Sequence, residues 1–269
     1  MTTLDGNRAP PLSQAEIDAF HRDGFVLPEF RIPQRHVENM RDSVDALIAR
    51  NPELRPEQLV NPHLAPWNNL PNPYRACAFD PGLLDLVEQI LGPDIIFWSS
   101  HLLCKPPGDG QAIPWHQDGE YWPIRPPATL TVWVALDRAD ELNGAMRIMP
   151  RSDRVVLPHV VVARSHFRQE IEAGAIDESR AVDVVRDPGQ ISLHNIHTVH
   201  ASRPNGSNRR RAAIIFRYMP ATSVFERDAT LLRGRVTYPI WDTPIFLARG
   251  VDRTGRNNFQ HGHSADFSA

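Results

Sequence analysis

A chain of 269 residues with 41% hydrophobic and 23% charged residues has the composition of an ordinary globular protein, able to bury a core without disulfides or structural metals. The formal net charge of −3 argues against a nucleic-acid partner, and no apolar run reaches the roughly 20 residues that would make a membrane partner plausible. Two cysteines and an N-terminus without an apolar leader predict a cytoplasmic protein. Nothing in the sequence defines the oligomeric state.

Helical patterns dominate the first third of the chain. After a polar lead-in over residues 1–12, Ser13-Gln-Ala-Glu16 has the spacing of a capping box, and Gly24 is a suitable C-terminal stop. The Pro- and Asn-rich stretch 51–75 predicts an irregular loop. Apolar residues at a helical period predict further helices, and a short strand is expected between the first two. The predicted helices cover residues 13–23, 33–50 and 81–91, and the strand covers residues 25–30.

From residue 95 the pattern changes to short strands separated by turn residues. The candidate strands are 95–98, 102–105, 130–136, 146–149, 191–193 and 212–218. Helices followed by many strands predict a mainly β protein with flanking helices, built as an antiparallel sandwich or jelly roll. We expect one domain over residues 1–269, with 222–269 forming a lid and tail and the aromatic stretch 238–250 as the candidate lid.

His116-Gln-Asp118 is a candidate metal-binding motif. His21-Arg-Asp23 and His36-Val-Glu38 have the same spacing, but both lie in predicted helical segments, where side chains two residues apart point away from each other. His116 and Asp118 are expected in extended backbone ahead of a strand, where alternate side chains share a face and can reach one metal. Two imidazoles and one carboxylate hold iron(II) and leave coordination positions open on the other side.

The third ligand must come from a distant strand, and His194, His197 and His200 compete for the role. His200 is favoured because Ser202 lies two residues further on the same face and Arg211 begins the next strand. On that strand one face carries arginines together with small and branched residues. Such a face fits a cavity floor, and it fits equally well a half-exposed strand with surface arginines. Its members are Arg211, Ala213, Ile215 and Arg217.

These segments resemble the phytanoyl-CoA dioxygenase family of iron(II)- and 2-oxoglutarate-dependent oxygenases. The resemblance extends over about residues 16–220 and is most specific in the block H-x-S-x-x-N-x-S that begins at His200 and precedes Arg211. Ala201 departs from the family, which usually has glycine there. Further similarity is found in residues 20–28, 105–118 and 133–152. The family fold is a double-stranded β-helix, the cupin-like jelly roll.

The resemblance implies roles for individual residues. The iron ligands would be His116, Asp118 and His200, and the partners of the distal carboxylate of 2-oxoglutarate would be Arg211 and Ser202. Trp133 stands where the family has a tryptophan that borders the cosubstrate. Thr131 is added as a cosubstrate contact only because alternate residues of a strand share a face. His194 and His197 are given supporting or structural roles.

The implied reaction is hydroxylation of a small-molecule metabolite with Fe(II), 2-oxoglutarate and O2, releasing succinate and CO2, with ascorbate as the assay reductant. Asp118 fills the position that related halogenases leave open for chloride, which favours hydroxylation and leaves desaturation or ring closure open. No segment indicates a CoA-binding surface. One alternative is a zinc hydrolase with the same triad, which has no need of Arg211. The other is a non-catalytic binding protein, a type that often lacks one ligand.

Overall fold

The computed structural model describes residues 12–55, 61–64, 72–120, 122–162, 169–172, 174–227 and 243–260. Its helices are α1 (Gln14–Asp23), α2 (Gln34–Arg50), α3 (Pro73–Ala78) and α4 (Pro81–Leu91). Its strands are β1 (Phe25–Val26), β2 (Ile95–Lys105), β3 (Ile113–His116), β4 (Ile124–Arg125), β5 (Leu130–Ala135), β6 (Met146–Ile148), β7 (His159–Val161), β8 (Gln169–Ile171), β9 (Val182–Asp183), β10 (Ile191–Asn195), β11 (His200–Ser202), β12 (Arg211–Pro220), β13 (Val224–Phe225) and β14 (Phe246–Arg249).

The helices begin and end where capping residues allow. The predicted capping box of α1 is present, since Ser13 and Glu16 each bond the other's backbone N–H, and Gly24 ends the helix with a positive φ of 80°. The predicted loop over 51–75 is wrong at its C-terminal end, because α3 begins at Pro73. Asn72 caps α3 and Pro73 fits its first turn, so residues that usually interrupt helices here start one.

Six strands form the major sheet, in the order β1-β10-β5-β12-β2-β14, and every pairing is antiparallel. The two strands predicted over 95–98 and 102–105 are one continuous strand, β2. The polar residues between them look like a break, but they are buried and bonded to the preceding loop. Ser99 Oγ donates to Asn61 Oδ1 (3.1 Å), and Ser100 Oγ lies 2.7 Å from His63 Nδ1.

A smaller sheet, in the order β3-β11-β6-β9, packs against one face of the major sheet. Apolar side chains of both sheets meet in one cluster, for example Trp133 and Ile215 from the major sheet with Met146 and Ile148 from the minor sheet. The opposite face of the major sheet packs on the helices. The chain therefore has the predicted fold class: mainly β, with flanking helices and a jelly-roll pair of antiparallel sheets.

The two faces of strand β12 have different environments. Ala212, Ile214, Phe216 and Tyr218 pack toward the helices. Arg211 and Arg217 are on the other face, between the sheets, and are only 1% and 7% exposed. The alternative of a half-exposed strand with surface arginines is therefore wrong.

The C-terminal region is only partly described. Strand β14 extends the edge of the major sheet beside β2. Residues 228–242 lie outside the described residues, so the lid expected within 238–250 stays a prediction. In the part of the chain that the structure describes, no helix has the length and apolar character needed to cross a bilayer.

Candidate metal centre and cosubstrate cavity

The two histidines of the candidate centre lie side by side on the minor sheet. His116 is the last residue of β3 and pairs in antiparallel register with His200, the first residue of β11. Asp118 begins a 3-10 turn over Asp118–Glu120. The expectation of extended backbone ahead of a strand is thus wrong for Asp118, because strand β3 ends at His116 and the chain then turns.

The ligand atoms of the three residues converge. One ligand atom from each of His116, Asp118 and His200 lies within 4.8 Å of the others, and all three side chains are buried. Asp118 Oδ1 is 3.6 Å from His116 Nε2, and its Oδ2 is 4.0 Å from His200 Nε2. Among the described residues this is the group of histidine, cysteine and acidic side chains with metal-binding geometry. His21 and His36, from the two other motifs with the same spacing, lie on α1 and α2.

Backbone carbonyls orient both imidazoles. His116 Nδ1 donates to Pro114 O (2.8 Å), and His200 Nδ1 donates to Thr198 O (2.9 Å). Because a carbonyl only accepts, Nδ1 of each ring carries a proton, and Nε2 is the ring nitrogen that faces Asp118. Such buried, oriented nitrogen atoms are suited to bind a metal ion.

Burial also sets the charge states at the centre. It lowers the pKa of His116 well below its usual range, and the neighbouring His200 adds to the effect, so the imidazole is neutral. Burial raises the pKa of Asp118, and the charges of His200 and Arg217 act in the opposite direction. A bound dication would hold the aspartate as a carboxylate. The donor set therefore fits a divalent iron ion.

Gln117, between the two ligands of the motif, was given no role from sequence. Its side chain is buried, and its amide nitrogen donates to the carbonyl oxygens of Val155 (2.9 Å) and His197 (2.6 Å). Its Oε1 accepts from Leu157 N (2.8 Å). Gln117 therefore ties the turn that carries Asp118 to two neighbouring loops.

A cavity opens between the sheets beside the metal-binding group, with about 420 Å³ of empty space that includes open solvent at its mouth. It is lined by residues from both sheets, and these include several of the predicted site residues. The lining residues among those described are His101, Leu103, Ile113, His116, Trp133, Met146, His200, Ala201, Ser202, Arg211, Ile215 and Arg217. Thr131 lies on the same inner face and is buried, but it is not part of this lining.

Arg211 is held at one end of the cavity by backbone oxygens. Its Nε and Nη2 donate to Gly144 O (3.1 and 2.8 Å), and its Nη1 donates to Leu103 O (3.4 Å). Gly144 has a positive φ of 79°, and a Cβ there would lie 2.5 Å from Arg203 O, so this turn needs glycine. Ser202 Oγ is buried without a hydrogen-bond partner among the described residues.

Lys105 is a second buried cation at this end, and sequence reasoning missed it. It stands opposite Arg211 in the register of β2 and β12, and its Nζ donates to Arg203 O. No pattern in the sequence indicated this burial, because Lys105 ends an apolar strand and a lysine is seldom fully buried. Lys105 and Arg211 therefore place two buried cations next to each other on neighbouring strands.

Of the three competing histidines, only His200 belongs to the metal-binding group. His194 lies on β10 in the major sheet, and its ring centroid is 4.8 Å from that of His200. His197 lies in the turn between β10 and β11, packed so closely that a Cβ on Gly119 would be 2.5 Å from its Cε1. Both positions are compatible with supporting roles.

A jelly roll with a buried histidine–aspartate–histidine group and a buried arginine in one cavity is the arrangement of an iron(II)- and 2-oxoglutarate-dependent oxygenase. The family model of phytanoyl-CoA dioxygenase (PhyH) matches residues 20–213. The chain belongs to the phytanoyl-CoA dioxygenase family, and it is an enzyme of the non-haem iron class that uses 2-oxoglutarate and O2.

Proteins similar to this chain carry names that fit this class. The alpha-ketoglutarate-dependent hypophosphite dioxygenase assigned in Stutzerimonas stutzeri is 32% identical over 63% of this chain, which spans only 58% of that protein. The ectoine dioxygenase of Halomonas elongata is 26% identical over 77% of this chain and 70% of its own length. The apo structure of the non-heme monooxygenase ThoJ is 28% identical, with a TM-score of 0.69 and coverage of 88% of this chain and 84% of that chain.

Proposed function

We propose that this chain, as one domain over residues 1–269, hydroxylates a small-molecule metabolite while converting 2-oxoglutarate and O2 into succinate and CO2. The observation that carries the proposal is the opening of the His116–Asp118–His200 group into the cavity that also contains Arg211 and Ser202. A zinc hydrolase would need the triad but not the buried arginine at the far end.

In this proposal iron is bound by Nε2 of His116 and His200 and by the carboxylate of Asp118. The carbonyl contacts of Pro114 and Thr198 keep both rings in the metal-binding orientation. Iron with 2-oxoglutarate supplies the oxidation of a C–H bond by O2, coupled to loss of CO2 from the cosubstrate. The carboxylate of Asp118 at the metal favours hydroxylation over halogenation.

The distal carboxylate of 2-oxoglutarate is assigned to Arg211, with Ser202 and Lys105 beside it. The carbonyl of Gly144 fixes the guanidinium before the ligand arrives, so less side-chain freedom is lost on binding. Ser202 Oγ, without a partner among the described residues, would gain a hydrogen bond. Trp133 would border the cosubstrate, and Thr131 would support this wall from outside the lining.

The cavity supports a small substrate, because it must hold the cosubstrate as well as the substrate. By their names, two relatives act on hypophosphite and ectoine. We therefore do not propose the CoA ester that gives the family its name.

The test begins with the anaerobic protein, iron(II) and 2-oxoglutarate. We expect a metal-to-ligand charge-transfer band, and with O2 and ascorbate a metabolite panel should identify a compound that stimulates succinate release. Zinc in place of iron should support neither. An iron-loaded protein without the band, or turnover with zinc and no consumption of 2-oxoglutarate, would contradict the proposal.

A further inference from the structure

Two turns beside the metal-binding group are docked on each other. One is the 3-10 turn Asp118–Glu120, and the other joins β10 to β11. Gly119 N donates to Ile196 O (2.9 Å), and Gln117 Nε2 donates to His197 O (2.6 Å). A Cβ on Gly119 would lie 2.5 Å from His197 Cε1, so this ring lies against the backbone of the 3-10 turn. The second turn therefore supports the first.

The turn between β10 and β11 orients the imidazole of His200 and is itself fixed to the end of α1. Thr198 O accepts from His200 Nδ1 (2.9 Å), and Thr198 Oγ1 donates to Gly24 O (2.7 Å). Asn195 N donates to the same carbonyl of Gly24 (2.9 Å). A residue that holds the 3-10 turn on this support therefore holds Asp118 relative to His200.

The side chain of Gln117 joins both turns to a third segment, the loop over residues 152–157. Its Nε2 lies within hydrogen-bond distance of three carbonyl oxygens. They belong to His197 (2.6 Å), Val155 (2.9 Å) and Ser152 (3.3 Å). Its Oε1 accepts from Leu157 N (2.8 Å). One side chain thus connects three segments of the chain that are distant in sequence.

The surroundings of Gln117 are specific for an amide. Carbonyl oxygens face its nitrogen and a backbone N–H faces its oxygen, so a donor and an acceptor are both required. The residue is 0% exposed, and a buried partner that loses its hydrogen bond is costly because solvent does not replace it. A residue that only separates two metal ligands would not need such a pocket.

The peptide group between His116 and Gln117 is held as well. Gln117 N donates to His159 Nε2 (3.2 Å), and the other ring nitrogen of His159 lies 2.8 Å from Leu157 O. Because a carbonyl only accepts, that nitrogen carries a proton and Nε2 is the acceptor. Backbone and side chain of Gln117 are therefore both anchored to the segment around residue 157.

We propose that Gln117 is a positioning residue, which holds Asp118 at its distance from His200 and so sets the affinity and ligand geometry of the iron site. The inference rests on the proposed function, because it takes His116, Asp118 and His200 as the iron ligands. Asp118 Oδ2 is 4.0 Å from His200 Nε2, and the docked turns keep it there. Residues that orient metal ligands typically contribute about 10- to 100-fold to the affinity for the metal.

The experiment compares Gln117→Met with the wild type, both as the whole chain. Methionine is flexible and of similar length, so the substitution removes the hydrogen bonds without leaving a large cavity. We expect anaerobic titration to show iron(II) binding weakened at least about tenfold. The visible spectrum of the protein saturated with cobalt(II) reports the ligand geometry, and it should differ from that of the wild type.

The matched control is Gln89→Met on α4. The amide of Gln89 also bridges backbone groups, since its Oε1 accepts from Leu12 N (2.6 Å) and its Nε2 donates to Leu12 O (3.0 Å). This contact belongs to the helical layer and not to the two docked turns. We expect Gln89→Met to lower the melting temperature of the apoprotein, while its iron(II) affinity and cobalt(II) spectrum equal those of the wild type.

Two further variants test the docking of the turns in other ways. Gln117→Asn keeps the amide on a side chain that is one methylene shorter, so its iron(II) affinity should fall between those of Gln117→Met and the wild type. Gly119→Ala leaves Gln117 unchanged but adds a methyl group against the ring of His197. It should displace the 3-10 turn and weaken iron(II) binding several-fold.

Several outcomes overturn the inference. These are wild-type iron(II) affinity in Gln117→Met, a wild-type cobalt(II) spectrum in that variant, or an equal loss of affinity in Gln89→Met, which would assign the loss to general destabilisation. If Gln117→Met does not fold, wild-type affinity in both Gln117→Asn and Gly119→Ala overturns it. A wild-type protein that binds no iron(II) is a different result, because it refutes the proposed function itself.

Discussion

At the scale of single residues, the sharpest expectation concerns Arg211. Arg211→Gln removes one charged contact to the distal carboxylate of 2-oxoglutarate, worth about 1.5–3 kcal/mol. We therefore expect the dissociation constant for 2-oxoglutarate to rise about 10- to 150-fold, while iron still binds. Titration of the charge-transfer band with 2-oxoglutarate measures the change directly.

The neighbouring arginines provide the control for this prediction. Arg209 pairs with Asp140, and Arg210 pairs with Asp137 and Asp45, all away from the cavity. Arg209→Gln should therefore bind 2-oxoglutarate as the wild type does. Unchanged affinity in Arg211→Gln together with weaker binding in Arg209→Gln would show that the cosubstrate arginine has been misassigned.

Residue patterns predicted part of this site because the chemistry is specific. The offsets among His200, Ser202 and Arg211 are fixed by a strand and the turn that follows it, so a sequence records them directly. Asp118 does lie beside His116 and His200, but on a backbone that was not expected, since a 3-10 turn and a strand can both carry H-x-D. Lys105 was not predicted, because its place beside Arg211 depends on which strands are neighbours, which no local pattern encodes.

Among the secondary-structure elements, Asp80 links two helices and is a suitable test of the helical layer. Its Oδ1 accepts from Gly82 N (2.9 Å) and Leu83 N (3.3 Å) at the start of α4, and its Oδ2 lies 3.2 Å from His36 Nε2 of α2. Asp80→Ala should cost about 1–2 kcal/mol as a lost cap, and Asp80→Asn should cost less because the amide oxygen still accepts. Thermal unfolding should show a decrease of about 2–8 °C for Asp80→Ala.

The effect of Asp80 should depend on pH. The contact with His36 is the main cause of the lowered pKa of Asp80, and the backbone bonds at the start of α4 add to it. Because the folded pKa is below the unfolded value of about 3.9, the carboxylate stabilises the fold above that pH, and the contribution is lost as the pH falls through the folded pKa. The difference between wild type and Asp80→Ala should therefore shrink below about pH 4. A constant difference down to pH 3 would contradict this origin.

Element boundaries were predictable where local chemistry sets them. The capping box of Ser13 and Glu16 fixed the start of α1, and the apolar alternation of β12 identified its two faces. The start of α3 and the continuity of β2 were not predictable, because Asn72, Ser99 and Ser100 are residues that usually mark breaks. Their polar groups are satisfied by capping or by contacts with residues 61–63, and those contacts exist only in the folded chain.

At the scale of the whole molecule, the site spans two layers. His116 and His200 belong to the minor sheet, whereas Arg211 and Arg217 belong to the major sheet. Separate apolar clusters join the helices to the major sheet and the major sheet to the minor sheet. The fold therefore has a core that does not depend on the metal, and ligands in the cavity add connections between the two sheets.

Stability measurements should separate the two ligands. At about 100 times its dissociation constant a ligand adds about 2.7 kcal/mol, which in a domain of this size raises the melting temperature by about 5–10 °C. We expect iron to give such a rise and 2-oxoglutarate to give a further one, whereas chelation leaves a folded protein.

Asp118→Ala should lose both increments and turnover, yet melt no lower than the wild-type apoprotein, because it no longer buries a carboxylate. Arg211→Gln should keep the iron increment and lose the second, and loss of both together would instead make the arginine part of the metal site.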